Sequence, residues 1–145
     1  SFIFIFSSTN IIEAGVKHLR ETKGSIICIS SICGCEIVPG APITYSVAKA
    51  ALNAYVKGIS KSLGASDIRI NAVAPGNVIF EDSVWHRKIE QDRISVDNML
   101  HNEVPLRRLG AVSEIVDTVV WLASPQSSFI TGSVLVVDGG QTRSF

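Results

Sequence analysis

The sequence has no excess of charge of either sign and no long apolar run. Thirteen basic and thirteen acidic residues cancel, which leaves no electrostatic footprint for nucleic acid or an anionic membrane surface. The apolar run from Phe2 to Phe6 is far too short to cross a bilayer and has no basic flank before it. We therefore expect a cytoplasmic protein that binds neither nucleic acid nor a membrane.

Cysteine is also scarce, and the three present are Cys28, Cys33 and Cys35. An odd number without a secretory signal favours reduced thiols in the cytosol over a disulfide framework. Cys33 and Cys35 are spaced closely enough to suggest metal binding, but no further Cys or His pair completes a set of four ligands. We therefore expect no metal site.

What the chain does have is enough apolar character for one folded unit. Hydrophobic residues make up 46% of the 145 residues, and no internal repeat or low-complexity linker divides them. Charged residues are only 18%, below the roughly 25% of an average soluble domain. The low charge suggests that some faces are buried against a partner.

Helical and strand patterns alternate along the chain. The predicted elements are a helix at 8–22, a strand at 25–30, a helix at 44–63, a strand at 68–75, short helices in a mobile segment at 81–104, a third long helix and a strand at 133–138. We expect Ser113 to cap that third helix. Its inward-facing residues are predicted to be Ile115, Val116, Val119 and Val120.

The predicted strands are continuous apolar runs without polar residues at alternate positions. This pattern is typical of a parallel sheet covered by helices on both sides, and three strands would leave the first one with an open edge. Ligands of such sheets bind beyond the carboxyl ends of the strands. Ser30-Ser31 and Pro75-Gly76 both occupy such positions.

Tyr45 and Lys49 are four residues apart on the second predicted helix, so their side chains share one face. A nearby ammonium stabilises phenolate and lowers the pKa of a phenol from its usual value of about 10. One lysine alone would not bring that pKa near neutrality, whereas a second cation such as an oxidised nicotinamide ring would help. Ser31 could hydrogen-bond the same reacting oxygen. In the alternative interpretation Lys49 extends along the surface and Tyr45 only covers the core.

Ser31, Tyr45 and Lys49 together form a proton-transfer device. The reaction also needs a hydride donor, and no side chain can act as one. Four ordered segments, "GSIICISS", "YSVAK", "IRINAVAPG" and "ITGSVLVVDGG", resemble the C-terminal part of the short-chain dehydrogenase/reductase family. The resemblance covers essentially the whole chain. It implies an α/β fold, the C-terminal part of a doubly wound parallel-sheet (Rossmann-type) fold that lacks the first strands and their glycine-rich motif. Residues 1–145 would form a single partial NAD(P)-binding domain.

The resemblance also implies roles for individual residues. Ser31 would orient the substrate, with Ser30 as the alternative, and Tyr45 would be the general acid/base. Lys49 would lower the pKa of the tyrosine and hold the nicotinamide ribose of NAD or NADP. Tyr45 would also lie in the cofactor site.

The same family pattern places cofactor contacts after the second strand. Pro75 and Gly76 would form the turn against the nicotinamide, with the backbone of Val78 near its carboxamide. A threonine usually follows this turn in the family, but here Ile79 and Phe80 stand in its place. We therefore expect the carboxamide contacts to differ.

Small residues surround the Tyr45 and Lys49 pair, namely Ala48, Ala50, Ala51 and Ala54. In the family this helix commonly packs against its copy in a second subunit, so the resemblance implies a homodimer or homotetramer. Plain helix propensity is the alternative explanation for the alanines.

Two functions follow as hypotheses. The first is an oxidoreductase that interconverts a small-molecule carbonyl and a secondary alcohol with NAD(P)(H). The second is a truncated, non-catalytic remnant or oligomerisation module of the same family, suggested by a start that is not methionine and by the absence of the glycine-rich turn. The charges near Trp85, including Lys88, point either to a polar or anionic substrate or to a solvated helix face.

Overall fold

The computed structural model describes residues 2–144, with side chains described from residue 7 onward. Its helices are α1 (Phe2–Thr22), α2 (Ile43–Gly64), α3 (Val84–Gln91), α4 (Arg93–Glu103) and α5 (Val112–Ala123). Its strands are β1 (Ser25–Ile29), β2 (Arg69–Pro75), β3 (Val78–Ile79), β4 (Gly110–Ala111) and β5 (Val134–Val137). The side chains of the apolar run at 2–6 lie outside the described residues. Across the described part of the chain, no helix combines the length and apolar character needed to cross a membrane.

Strands β1, β2 and β5 form a three-stranded parallel sheet with β2 in the centre. Ile70 pairs with Ile26 of β1, and Ala72 pairs with Val134 of β5. The expected α/β fold with a parallel sheet is confirmed, and β1 forms an edge of this sheet. Strands β3 and β4 make a separate short parallel ladder, in which Val78 lies opposite Gly110.

Helices cover both faces of the main sheet because side chains alternate along each strand. Alternate residues of β1 and β2 pack with α1 and α2 in one apolar cluster, whose buried members are Ile12, Cys28, Leu52, Val56, Leu63, Ile68, Ile70 and Ala72. Helix α5 contacts β1 and β2 but contributes nothing to that cluster. It therefore covers the opposite face.

Helices α3 and α4 have a small core of their own. Val96, Leu100 and Val104 are buried there, and Trp85 and Met99 pack against them. The prediction of short helices at 81–104 is thus confirmed. Residues of both helices line one of the clefts described below.

Ser113 does not cap α5, so that prediction is wrong. The N-cap residue is Ala111, and Ser113 lies two positions inside the helix. Glu114 takes over the capping role because its carboxylate accepts the backbone N–H of Ala111 at 2.8 Å. Arg108 holds the same carboxylate from the other side, at 2.7 Å.

The prediction of four inward-facing residues on α5 is only half correct. Ile115 and Val119 are partly buried, and Leu122 is fully buried on the same stripe. Val116 and Val120 are 49% and 61% exposed. The sheet contacts a narrow stripe of this helix, and residues a quarter turn away stay outside it.

Candidate active site

The residues singled out from the sequence line one cleft at the carboxyl edge of the sheet. The cleft has a volume of about 450 Å³, and its lining includes Ser31, Tyr45, Lys49, Pro75, Gly76 and Val78. We call it the lysine cleft. Ser31 follows β1 and Gly76 follows β2, which places both at the edge where ligands of parallel sheets bind.

Tyr45 and Lys49 lie on consecutive turns of α2, which begins immediately after Pro42. The Lys49 Nζ lies 5.7 Å from the centre of the Tyr45 ring and donates to the Ile29 carbonyl oxygen at 2.8 Å. Partial burial lowers the pKa of Lys49 from its usual value, and its interaction with Cys28 opposes that shift. Tyr45 is 37% exposed, so its phenol can be reached from the cleft.

Ser31 and Ser30 have different hydrogen-bond partners. The Ser31 hydroxyl oxygen accepts the backbone N–H of Cys33 at 3.2 Å, which fixes its position without using its own proton. The Ser30 hydroxyl donates to Asn53 Oδ1 at 2.6 Å. The proton of Ser30 is therefore engaged within the protein, whereas no residue that the structure describes accepts the proton of Ser31, which is available to a ligand.

Gly76 is required by packing against the end of β5. A β-carbon at this position would lie 2.6 Å from the β-carbon of Asp138. The backbone N–H of Gly76 donates to the Val137 carbonyl oxygen at 3.0 Å, which ties the turn after β2 to β5. The Pro75-Gly76 turn is thus held rigidly against the sheet.

The residues found in place of the expected threonine lie beside this turn. Ile79 pairs with Ala111 in the short ladder, and the exposed Phe80 lines the lysine cleft. The buried Ser83 accepts the backbone N–H groups of Phe80 and His86. The segment therefore presents an aromatic ring to the cleft where a threonine hydroxyl was expected.

A second cleft, of about 580 Å³, adjoins the first. Ser31, Tyr45 and Gly76 line both, so the hydroxyl and the phenol stand where the two meet. We call this second space the glutamine cleft because Gln141 is one of its lining residues. A ligand in either cleft would contact the same two reactive groups.

Asn53 is a positioning residue that the sequence analysis missed. Besides accepting from Ser30, its amide donates to the Gly34 carbonyl oxygen at 3.1 Å, so it ties the loop after β1 to α2. Asn53 follows Lys49 by four residues, as Lys49 follows Tyr45. Extending that spacing by one turn would have identified it.

The parallel sheet and the clefts at its carboxyl edge define a Rossmann-type α/β domain. The family model described as enoyl-(acyl carrier protein) reductase matches residues 3–142, which is nearly the whole chain. The chain belongs to the short-chain dehydrogenase/reductase family.

Curated relatives in this family are oxidoreductases. The chain is 33% identical over 141 residues to isoepoxydon dehydrogenase of Penicillium expansum, with 95% of this chain and 53% of the relative covered. It is 39% identical over 136 residues to a 3-oxoacyl-[acyl-carrier-protein] reductase of Chlamydia trachomatis, with 90% and 50% covered. The chain therefore spans about half the length of the curated relatives it matches.

Solved structures show the same relationship. ElxO with NADP bound superposes with a TM-score of 0.79 at 32% identity, covering 90% of this chain and 51% of that one. A 3-oxoacyl-[acyl-carrier protein] reductase from Brucella melitensis also gives a TM-score of 0.79, at 31% identity, with 91% and 47% covered.

Proposed function

We propose that this chain carries the catalytic groups of an NAD(P)-dependent oxidoreductase that interconverts a small-molecule carbonyl and a secondary alcohol. The observation that carries the proposal is the position of Ser31 and Tyr45 where the two clefts meet, with Lys49 one turn away. Tyr45 gives a proton to the carbonyl oxygen during reduction and takes it back during oxidation. Ser31 donates its free proton to the same oxygen and holds it in place.

Lys49 interacts with both the cofactor and Tyr45. An ammonium has three N–H donors, and among the described residues the Ile29 carbonyl uses one, which leaves two for ribose hydroxyls in the lysine cleft. Its charge, 5.7 Å from the ring of Tyr45, also stabilises negative charge on the phenol oxygen when the proton leaves.

The lysine cleft fits the nicotinamide end of NAD or NADP. Lys49 and the phenol of Tyr45 offer polar contacts on one side, and the Pro75-Gly76 turn with Val78 offers an apolar wall for a flat ring. The bound cofactor supplies the hydride that side chains cannot. The matched structure of ElxO has NADP bound, which supports this assignment.

Exchange of the two tyrosines of α2 tests the proposal. In the natural gene product, Tyr45→Phe should lower kcat by about 100-fold to 10,000-fold, because the general acid/base is lost. Tyr55→Phe is the matched control, since Tyr55 lies on the same helix but packs against the core beside α1. Retained activity in Tyr45→Phe, or an equal loss in both variants, would remove Tyr45 from this role.

We also propose that the protein acts in the cytosol as a homo-oligomer. Ala50, Ala51 and Ala54 lie exposed on α2, where small side chains permit close approach of a second helix. The three free cysteines are consistent with a reducing compartment. Light scattering of the natural gene product should give a mass of two or four subunits, and a monomer would contradict the proposal.

A further inference from the structure

The glutamine cleft has an apolar wall and polar lining residues as well. Val38, Val84, Trp85 and Met99 contribute apolar surface close to Ser31 and Tyr45. Its volume of about 580 Å³ lies within the range of small-molecule binding sites. A substrate with its reacting oxygen at Ser31 and Tyr45 would extend along this wall towards Gln141.

The side-chain amide of Gln141 has unused hydrogen-bonding capacity. Its Oε1 is buried, and among the residues that the structure describes it has no hydrogen-bond partner. A buried polar atom without a partner is costly, and rotation of the amide that turns this oxygen towards the cleft would let a ligand supply the missing partner. The amide can turn either its oxygen or its NH₂ towards a ligand, and a hydroxyl group can pair with both.

Two carboxylates fix the backbone on either side of Gln141. Asp138 accepts the backbone N–H groups of Gly140 and Thr142, at 2.8 and 2.7 Å. Glu36, from the loop after β1, accepts those of Arg143 and Ser144, at 2.9 and 3.0 Å. The segment that carries Gln141 is therefore held against the same loop that carries Ser31, so its side chain has a defined place in the cleft.

The charges of the glutamine cleft do not favour an anionic substrate. Lys88 lines the cleft and lies with its Nζ 4.4 Å from the centre of the Trp85 ring. Glu103 lines the same cleft with the opposite sign. The two charges oppose each other, so the cleft selects neither an anionic nor a cationic substrate by charge. A neutral substrate would be selected by hydrogen bonding.

We infer that Gln141 is a specificity-determining residue that binds a second hydroxyl group on a neutral small-molecule substrate. This inference rests on the proposed function, which supplies the reacting oxygen at Ser31 and Tyr45. The substrate class is thus a neutral hydroxylated ketone, or the corresponding diol in the reverse direction.

The test compares ketones of equal size with and without the hydroxyl. The probes are 4-hydroxycyclohexanone against 4-methylcyclohexanone, 2-hydroxycyclohexanone against 2-methylcyclohexanone, and 4-oxocyclohexanecarboxylate as an anion. With the natural gene product and NAD(P)H, we expect the hydroxylated member of at least one pair to have a kcat/KM about 5-fold to 10-fold higher, the worth of one neutral hydrogen bond. The carboxylate should show no such advantage.

Gln141→Met, which keeps the length of the side chain but removes the amide, should abolish the preference by raising KM for the hydroxylated ketone. The ratio of kcat/KM between the two members of each pair should therefore fall to about one. Gln126→Met is the matched control, because Gln126 is exposed and does not line the cleft. Equal kcat/KM within both pairs, or a preference that survives in Gln141→Met, would overturn the inference.

Ligand-observed NMR with the same probes separates this inference from the proposed function. Tighter binding of a hydroxylated probe to the wild-type protein than to Gln141→Met would support the role of Gln141 even if no ketone is reduced, in which case only the proposed function fails. Turnover without any preference would overturn the role of Gln141 alone. Absence of both turnover and preferential binding would overturn both.

Discussion

Gly34 packs directly on the backbone of Lys49. A β-carbon at Gly34 would lie 2.6 Å from the carbonyl carbon of Lys49 and 2.9 Å from the nitrogen of Ala50. The loop that carries Ser31 can approach the helix that carries Tyr45 and Lys49 because no side chain separates them. The distance between the serine and the tyrosine thus depends on Gly34, whose backbone N–H also donates to the Ser31 carbonyl oxygen at 2.9 Å.

Gly34→Ala should therefore disturb both stability and activity. The methyl group meets backbone atoms that cannot move aside, so we expect a loss of about 1–3 kcal/mol in the free energy of unfolding. Displacement of Ser31 should lower kcat as well. Urea unfolding and steady-state kinetics of the natural gene product measure the two effects.

Gly58→Ala is the matched control for that variant. Gly58 lies within α2, and a β-carbon there would meet no atom within 4 Å. Alanine at an open helical position should raise the free energy of unfolding by about 0.5–1 kcal/mol. If Gly34→Ala is as stable and as active as wild type, the close approach of the loop to α2 at Gly34 contributes neither to stability nor to catalysis.

Asn53→Ala should lower kcat more than it raises KM. The amide of Asn53 holds Ser30 and the Gly34 carbonyl, so its removal frees the loop that positions Ser31 without removing a group that touches the substrate. We expect kcat to fall by about 10-fold, since small misplacements of reacting groups are costly. The exposed Asn98 of α4 provides the control, Asn98→Ala, which should match wild type. A loss of stability with unchanged kcat would make Asn53 purely structural.

Some features of this site could be predicted from local sequence and others could not. The bounds of α2 differ by one residue from the prediction because Pro42 and Gly64 delimit a long amphipathic segment. The four-residue spacing of Tyr45 and Lys49 likewise predicted that their side chains share one face of α2. Spacing along one helix is enough when one element holds both residues.

Contacts between distant segments left no such signal. Glu36 holds the backbone of Arg143 and Ser144, more than 100 residues away. Glu114, and not the expected Ser113, has the capping role at the start of α5 because Arg108 and the backbone of Ala111 both bind its carboxylate. These choices depend on which segments meet in three dimensions, and neither propensity nor periodicity encodes that.

Arg69→Lys should destabilise the fold although it conserves charge. The guanidinium of Arg69 donates to the Ser127 hydroxyl and to four carbonyl oxygens, those of Leu122, Ala123, Ser124 and Ile130. An ammonium has three donors and no planar fork, so several of these groups would lose their partner. We expect a loss of about 2 kcal/mol in the free energy of unfolding.

Arg20→Lys is the control for the arginine variant, because Arg20 lies exposed in the last turn of α1. It should unfold at the same urea concentration as wild type. Equal midpoints for Arg69→Lys and Arg20→Lys would show that the fork at the end of α5 contributes nothing to stability.

Glu114 should make stability depend on pH in the acid range. The hydrogen bonds from Arg108 and from the backbone of Ala111 lower the pKa of its carboxyl from 4.5 to about 2 in the folded protein. A carboxyl whose pKa is lower in the folded than in the unfolded state binds protons more readily when unfolded. Its stabilising contribution is therefore fully present above about pH 4.5 and is lost as the pH falls towards about 2.

Glu114→Gln should accordingly lower the thermal midpoint at neutral pH and flatten its dependence on pH between about 4.5 and 2. The effect should be moderate, because both partners of the Arg108 pair are partly exposed and salt screens them. Glu90→Gln, at an exposed position of α3, should leave the curve unchanged. Since the Glu114 carboxylate anchors β4, which pairs with the strand carrying Val78, the neutral variant should also raise KM for the cofactor. A Glu114→Gln curve that runs parallel to that of wild type throughout this pH range would show that the ion pair does not couple folding to protonation.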